Sequence, residues 1–366
     1  MKNALASLFM LLMVGQPPQR PAMVGGGPGI PPDWPQPELR EGLTQDQTLD
    51  AIVAYAQKLV DTDHVSGVLL VAKDGKPLLT RAWGMANATE KNTADTKFNI
   101  GSINKVFTQT AIQQLAAAGK LAYNDTIRKH LPDYPSAIAD RVTIQQLLDH
   151  RSGMGDIFGP KYMSAPPARL RENADFLKLF ADEPLQFEPG TSQRYSNAGY
   201  VVLGLIIEKI SGQKYRDYVQ QHIFDPAGMT NSGFWALDEA VPHRATGYTL
   251  LGPDGPLAKR IPNDATLPGR PSSAGGAFST AGDLLKCFQW LEASRSGGGS
   301  SSGSGGAGGR SARMGVGGGA PGLNAAVQMG DGWTVIVMSN YDPPSAEALA
   351  RGARMIINGK REPREP

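Results

Sequence analysis

Paired runs of β-forming residues stand at both ends of this chain, and the long stretch between them lacks such runs. Near the start, residues 67–71 are β-rich, Lys73-Asp74-Gly75-Lys76 reads as a turn, and residues 78–83 return as a second strand. Near the end, residues 325–329 and 333–338 read as two more strands joined at Gly330-Asp331-Gly332, the second with strong alternation and β-branching. A single hairpin is marginally stable in water, so the simplest packing is one antiparallel sheet assembled from both ends of the chain. Helical periodicity over 46–60 and 345–357 supplies helices for its faces. The predicted class is α+β: an antiparallel sheet flanked by helices, with a second, mainly helical domain beside it.

The boundaries follow from composition. Residues 43–118 and 310–366 form the expected α/β part, and residues 119–293 the mainly helical part, which returns to the sheet through 275–285. Within that middle, Thr143 opens a short helix through Leu148, and residues 201–210 read as a buried helix. Ser279 or Thr280 would cap a helix running to about residue 293. Residues 294–309 are almost entirely Gly and Ser, side chains that cannot offset ordering entropy, so this tract is expected to be flexible. Two motif-like patterns inside it, Gly299-x-Ser301-x-Gly303 and Gly303-x-Gly305-x-x-Gly308, lack the strand-turn-helix setting that gives such patterns a function.

With 366 residues, 40% hydrophobic and 19% charged, the chain has material for a large core or two smaller ones. A net charge of +2 without a long basic block gives no reason to expect a nucleic-acid partner. Cys287, the sole cysteine, rules out an internal disulfide and a thiolate cluster, and the five histidines lack ligand spacing, so no metal or cofactor is expected. His64 and the other histidines read as surface, capping or packing residues, and His150 as the cap of its helix. Lys2 followed by an apolar run over 4–14 matches a secretory signal and is too short to span a bilayer. With the Pro/Gly-rich stretch 15–37 it makes 1–42 a signal and loose leader, which implies a periplasmic or secreted protein; an apolar start on a cytoplasmic chain is the alternative.

The chemistry-bearing residues are few. In Ser102-Ile103-Asn104-Lys105, at the head of a helical run, hydroxyl and amine rise from one face about one turn apart, where an amine can take a proton from a hydroxyl. Ser211-Gly212-Gln213-Lys214 matches the same spacing, so the pattern alone does not select a nucleophile. Tyr195 and Asn197 stand at the turn leading into the helix over 201–210, and Gly315 to Gly322 is glycine-rich enough for close backbone approach to a ligand or neighbouring strand. Trp83, Trp235, Trp290 and Trp333 read as packing residues, with Trp235 in a loop-like region able to line a cleft.

In this order the elements resemble the penicillin-recognising serine hydrolases, in the branch holding class C β-lactamases, D-alanyl-D-alanine carboxypeptidases and the esterases of the same fold. Ser102-Ile103-Asn104-Lys105 resembles the first motif and Tyr195-Ser196-Asn197 the second. Leu147-Leu148-Asp149-His150-Arg151-Ser152-Gly153 resembles a family helix end, and Gly275 to Leu285 its Gly-Gly, Ser-Thr-x-x-Asp-Leu segment. The block from Gly315 to Gly322, then Asn324 and residues 333–340, resembles the third-motif strand and its partner. Two departures stand out. Val316 occupies the head of the third motif, where the branch usually has His or Lys, and the Gly/Ser tract replaces several tens of residues that normally precede that motif.

The resemblance implies a β-lactamase/transpeptidase-like fold and an acyl-enzyme on Ser102, with Lys105 or Tyr195 as the base. The Ser102 N–H and the Gly319 N–H would stabilise the oxyanion, with Gly318 beside them, and Asn197 would hold the acyl side chain or orient Lys105. Loss of a polar third-motif head favours a carboxylesterase over a β-lactamase or D-Ala-D-Ala carboxypeptidase. A catalytically weak or inactive binding relative is the non-enzymatic alternative. The expected partner is a small ester, β-lactam or D-Ala-D-Ala-like molecule.

Overall fold

The computed structural model describes residues 29–252, 255–297 and 314–359. The apolar run 4–14, the leader up to residue 28 and the Gly/Ser tract from residue 298 onward, with both motif-like patterns, lie outside the described residues.

Helix α1 (Gln45–Asp61) begins at Thr44, whose side chain accepts from the Gln47 N–H while the Gln47 side chain caps the Thr44 backbone. This reciprocal box satisfies two otherwise orphan donors. Strands β1 (Gly67–Lys73) and β2 (Lys76–Trp83) follow. Asp74 and Gly75 both take positive φ, 48° and 77°, the conformation of a two-residue turn whose twist matches the strands it joins. The short strand β3 (Phe98–Asn99) leads into α2 (Lys105–Ala117). The middle of the chain contributes α3 (Ile144–Leu148), α4 (Asn197–Ser211) and a hairpin, β4 (Tyr248–Gly252) with β5 (Gly255–Pro262). Strand β6 (Phe278–Ser279) pairs with β3, and Thr280 Oγ1 then caps α5 (Ala281–Gly297) by accepting from the Asp283 N–H at 3.2 Å. The chain closes with β7 (Met314–Ala320), β8 (Leu323–Gly330), β9 (Trp333–Ser339) and α6 (Ser345–Asn358).

Both ends of the chain meet in one antiparallel sheet ordered β2-β1-β9-β8-β7, with Gly67 opposite Ser339 and Lys73 opposite Trp333. Strand period decides which core each residue joins. Leu69, Val71, Val335 and Val337 face α1 and α6, where Ile52, Leu59, Leu349 and Ala353 complete one cluster. Val68, Leu70, Ile336 and Met338 face the other way, into a core shared with Phe107 of α2, Ile206 of α4 and Leu284 of α5. The helical middle is therefore packed on the sheet through continuous apolar contact.

Several expectations need correction. The middle carries the β4–β5 hairpin and strand β6, which pairs with β3 of the N-terminal part, besides its helices; a two-residue strand leaves no periodic trace in a sequence. Helix α5 runs four residues past 293 to Gly297, and Ser294 Oγ turns back to donate to the Trp290 carbonyl at 2.8 Å. The leader is not loose throughout: Ile30, Trp34 and Leu39 pack on the first cluster, and Trp34 stacks on His64 at 4.0 Å, the apolar area of an indole being enough to hold the segment. Trp83, Trp290 and Trp333 pack against the two cores, while Trp235 tilts against Phe278. Among the described residues no helix is long and apolar enough to cross a membrane.

Candidate active site

Ser102 lies in a single tight turn, residues Gly101–Asn104, between β3 and α2. The turn is pinned on both sides. Ile100 N–H donates to the Ala277 carbonyl at 2.9 Å, and Gly101 N–H to Asn99 Oδ1 at 2.9 Å. Buried Ile100 and Ile103 anchor it in the core while the Ser102 side chain stays half-buried at the surface of the cleft. Gly101 has φ of 51°, and a side chain there would stand 2.9 Å from the Gly319 nitrogen. Gly318 is tighter still: a Cβ on it would sit 2.2 Å from the Ile100 oxygen and 2.6 Å from the Ser102 nitrogen. The glycines of β7 thus let the outer strand of the sheet lie against the turn that carries the serine.

Lys105 opens α2 and is only 4% exposed. Its Nζ reaches three oxygens: the Ala274 carbonyl at 2.5 Å, Asn197 Oδ1 at 2.7 Å and Ser102 Oγ at 3.3 Å. Ser102 Oγ also shares a 2.5 Å hydrogen bond with the Tyr195 hydroxyl. The rings of Tyr195 and Tyr200 face the amine at 4.7 and 5.2 Å. Burial brings the Lys105 amine down to about 7, against the opposing pull of the Asp156 carboxylate. Burial drives the Tyr195 phenol well above its ordinary range, more than the Ser102 hydrogen bond lowers it. Around neutrality the arrangement thus holds an amine able to shed its proton beside a phenol that keeps its own. A neutral amine has two N–H donors and one lone pair. With the donors on Asn197 Oδ1 and Ala274, the lone pair is left for the Ser102 hydroxyl.

Tyr195 and Asn197 come from the start of α4. Ser196 is its N-cap, accepting from the Gly199 N–H at 3.1 Å, and Asn197 is its first residue. The structure brings Ser102, Lys105, Tyr195 and Asn197 into one hydrogen-bonded cluster and lays Gly318 and Gly319 against the serine turn. The competing Ser211 and Lys214 are elsewhere: Ser211 Oγ donates to the Ile207 carbonyl at the end of α4, and Lys214 pairs with Glu172. Val316 is 7% exposed and belongs to the core of the helical side, so the head of the glycine strand presents no polar group.

Three contributors escaped the sequence reading. His150 does not cap α3, whose C-cap is Asp149. His150 is 3% exposed with φ of 57°, its ring stacks on Tyr195 at 4.6 Å, and Nδ1 accepts from the Ser196 N–H at 3.1 Å. Burial and the nearby Lys105 charge press it down to about 3, so it is a neutral wall for Tyr195. Asp156 binds Asn197, and the Ala274 carbonyl binds Lys105. The left-handed backbone at His150 is visible only in the fold, and the other two contacts join residues 41 and 169 positions apart.

A serine hydrogen-bonded to a buried amine and a phenol, set where an antiparallel sheet meets a helical layer, is the arrangement of the serine hydrolases of the β-lactamase/transpeptidase fold. The family model described as Beta-lactamase matches residues 49–355, and the chain belongs to that family. Penicillin-binding protein 4* of Bacillus subtilis (strain 168) is 35% identical over 199 residues, 52% of this chain and 44% of that protein. A penicillin binding protein from Bacillus halodurans superposes with a TM-score of 0.71 at 29% identity, covering 83% of this chain and 98% of the other. A mutant class C beta-lactamase, 17% identical with a TM-score of 0.64, covers 87% of this chain and 99% of its own, and shares the fold. The chain spans about half the length of the curated relatives it matches.

Proposed function

We propose that this serine hydrolase is a carboxylesterase that works through an acyl-enzyme on Ser102. The observation that carries the reading is the bonding of Ser102 Oγ to both Lys105 Nζ and Tyr195 OH, with apolar Val316 where a carboxylate-binding or cationic residue would otherwise head the strand. In acylation, Ser102 Oγ forms a bond to the ester carbonyl carbon as its proton passes to the neutral Lys105 amine. The oxyanion sits between the Ser102 and Gly319 N–H groups. On collapse the carbonyl–alkoxide bond breaks, the alkoxide takes the Tyr195 phenolic proton, and the proton held by Lys105 restores the phenol. Water then attacks the acyl-enzyme by the reverse sequence and releases the acid.

The expected outcome is turnover of a short-chain p-nitrophenyl ester well above that of a chromogenic cephalosporin, with Ser102→Ala reducing ester turnover by at least about 10³-fold. Unchanged turnover in Ser102→Ala sinks the mechanism. The similarity to penicillin-binding proteins favours a second reading, acylation by β-lactams or D-Ala-D-Ala-like peptides. Intact-mass measurement after penicillin tests it through a Ser102 adduct. Absence of any adduct, with a fluorophosphonate as well as penicillin, would leave the chain a non-catalytic binding relative. The apolar run 4–14 supports export to the periplasm or exterior as the setting.

A further inference from the structure

Asn197 offers Lys105 its oxygen, and something has to decide that it is not the amide nitrogen. The nearest group able to decide is Asp156, in the turn after Gly153-Met154-Gly155. Asp156 Oδ1 accepts from Asn197 Nδ2 at 3.1 Å and from the Phe158 N–H at 3.2 Å. Asp156 Oδ2 accepts from Asn197 Nδ2 at 3.0 Å and from the Asn197 backbone N–H at 3.0 Å. An ionised carboxylate accepts only, so the NH₂ end of the amide must face it. Reversal would set oxygen against oxygen there and NH₂ against the amine at Lys105. A reversed amide would also draw the Lys105 lone pair toward its own N–H and away from Ser102.

We propose that Asp156 is a positioning residue for acyl transfer: through Asn197 it fixes the amide polarity that aims the Lys105 lone pair at the Ser102 hydroxyl. The inference rests on the reading of Lys105 as the base. Asp156 is not alone around that amine. The phenols of Tyr195 and Tyr200 and the imidazole of His150 also face it, and among the described residues Asp156 is the carboxylate that acts on its charge. Removing that charge therefore makes the amine easier to deprotonate, while the lost alignment makes it a poorer base for Ser102. The two effects run in opposite directions, which separates positioning from plain structural damage.

The test uses the full chain and p-nitrophenyl butyrate, with kcat and KM followed from pH 5 to 9. Lys105→Arg is measured first; unchanged turnover there defeats the base reading, independently of Asp156. With that reading intact, Asp156→Asn is expected to lower kcat by about 30- to 100-fold with KM within about threefold, and to move the acid limb of the profile to lower pH. Asn197→Ala should show a comparable fall, and Asp156→Asn added to it should cost less than about twofold more, because one pathway has already been cut. Full activity in Asp156→Asn, an acid limb that stays in place, or a multiplicative loss in the double variant each overturn the proposal. If Asp156→Asn fails to fold by circular dichroism, Asp156→Ser, which also removes the charge and the paired acceptors, is read by the same criteria.

Discussion

At Ser102 the chemistry depends on which neighbour is willing to lose a proton. Lys105 is buried, and its two best hydrogen-bond acceptors are uncharged, so the ammonium is poorly compensated. A lysine whose ordinary value is 10.5 is brought to about 7, whereas the phenol is pushed the other way. In the proposed mechanism the active form has Lys105 neutral. Hence kcat/KM should rise with pH through about 7 and level off above it, and Lys105→Arg, which keeps the charge and cannot act as a base at these pH values, should lower the plateau by about 10³-fold. A pH–rate profile of ester hydrolysis checks both; a flat profile from pH 5 to 9 would remove Lys105 as the base. The Ser102–Lys105 spacing carries a chemical reason of its own, but it was the resemblance to a known family that set Ser102 above Ser211 and gave Tyr195 and Asn197 their expected roles. Asp156 and the Ala274 carbonyl were not legible in the sequence, since their meaning comes from contacts made only after α2, α4 and the β6 approach have converged.

At the scale of elements, the site is a meeting of one outer strand with one turn. Strand β7 reaches the Ser102 turn because residues 317–319 are all glycine, and Gly318 has no room for a methyl group. Gly318→Ala must push β7 away from the Ile100 oxygen and Ser102 nitrogen, moving the Gly319 N–H with it. A loss of about 10²-fold in kcat is expected, the scale of an impaired oxyanion donor, with a melting temperature lowered by only a few degrees. Parallel kinetics and thermal melts decide it; wild-type kcat in the variant would show that the strand is not held where the glycines place it. The same elements show where sequence reading thins out. Helices α1 and α6 announced themselves by period and α5 by its cap, but β3 and β6, two residues each, exist only because they find one another.

For the whole molecule, joining the chain ends in one sheet also buries charge. Glu347, in the first turn of α6, packs beside Gly317, and its Oε2 finds no hydrogen-bond partner among the described residues. Burial raises its carboxyl from 4.5 to about 7, over the opposing hydrogen bonds from Asn324 and its own backbone. In the unfolded chain this group ionises near 4.5, while the fold holds the proton until about 7. Stability is therefore lost as pH rises between these values and stays reduced above them. Glu347→Gln should leave stability unchanged at pH 4.5 and add about 1–3 kcal/mol at pH 8. Urea unfolding at the two pH values measures the difference, and an equal gain at both would show that ionisation is not the cause.

The amino-acid sequence by itself determined the strands at either end, the helices that cap and cover them, the order of the serine, tyrosine and glycine motifs, and the apolar character of Val316. These are local properties: period, propensity, turn chemistry and residue type act over a few neighbours, and a single chain displays them before it folds. Only the tertiary structure showed that Ser102, Lys105 and Tyr195 share one hydrogen-bonded cluster while Ser211 and Lys214 turn to other partners, that His150 stacks on Tyr195, and that Asp156 holds Asn197. Desolvation and hydrogen-bond direction arise where distant segments close on one another, so the value of Lys105 as a base belongs to the fold and not to the residue.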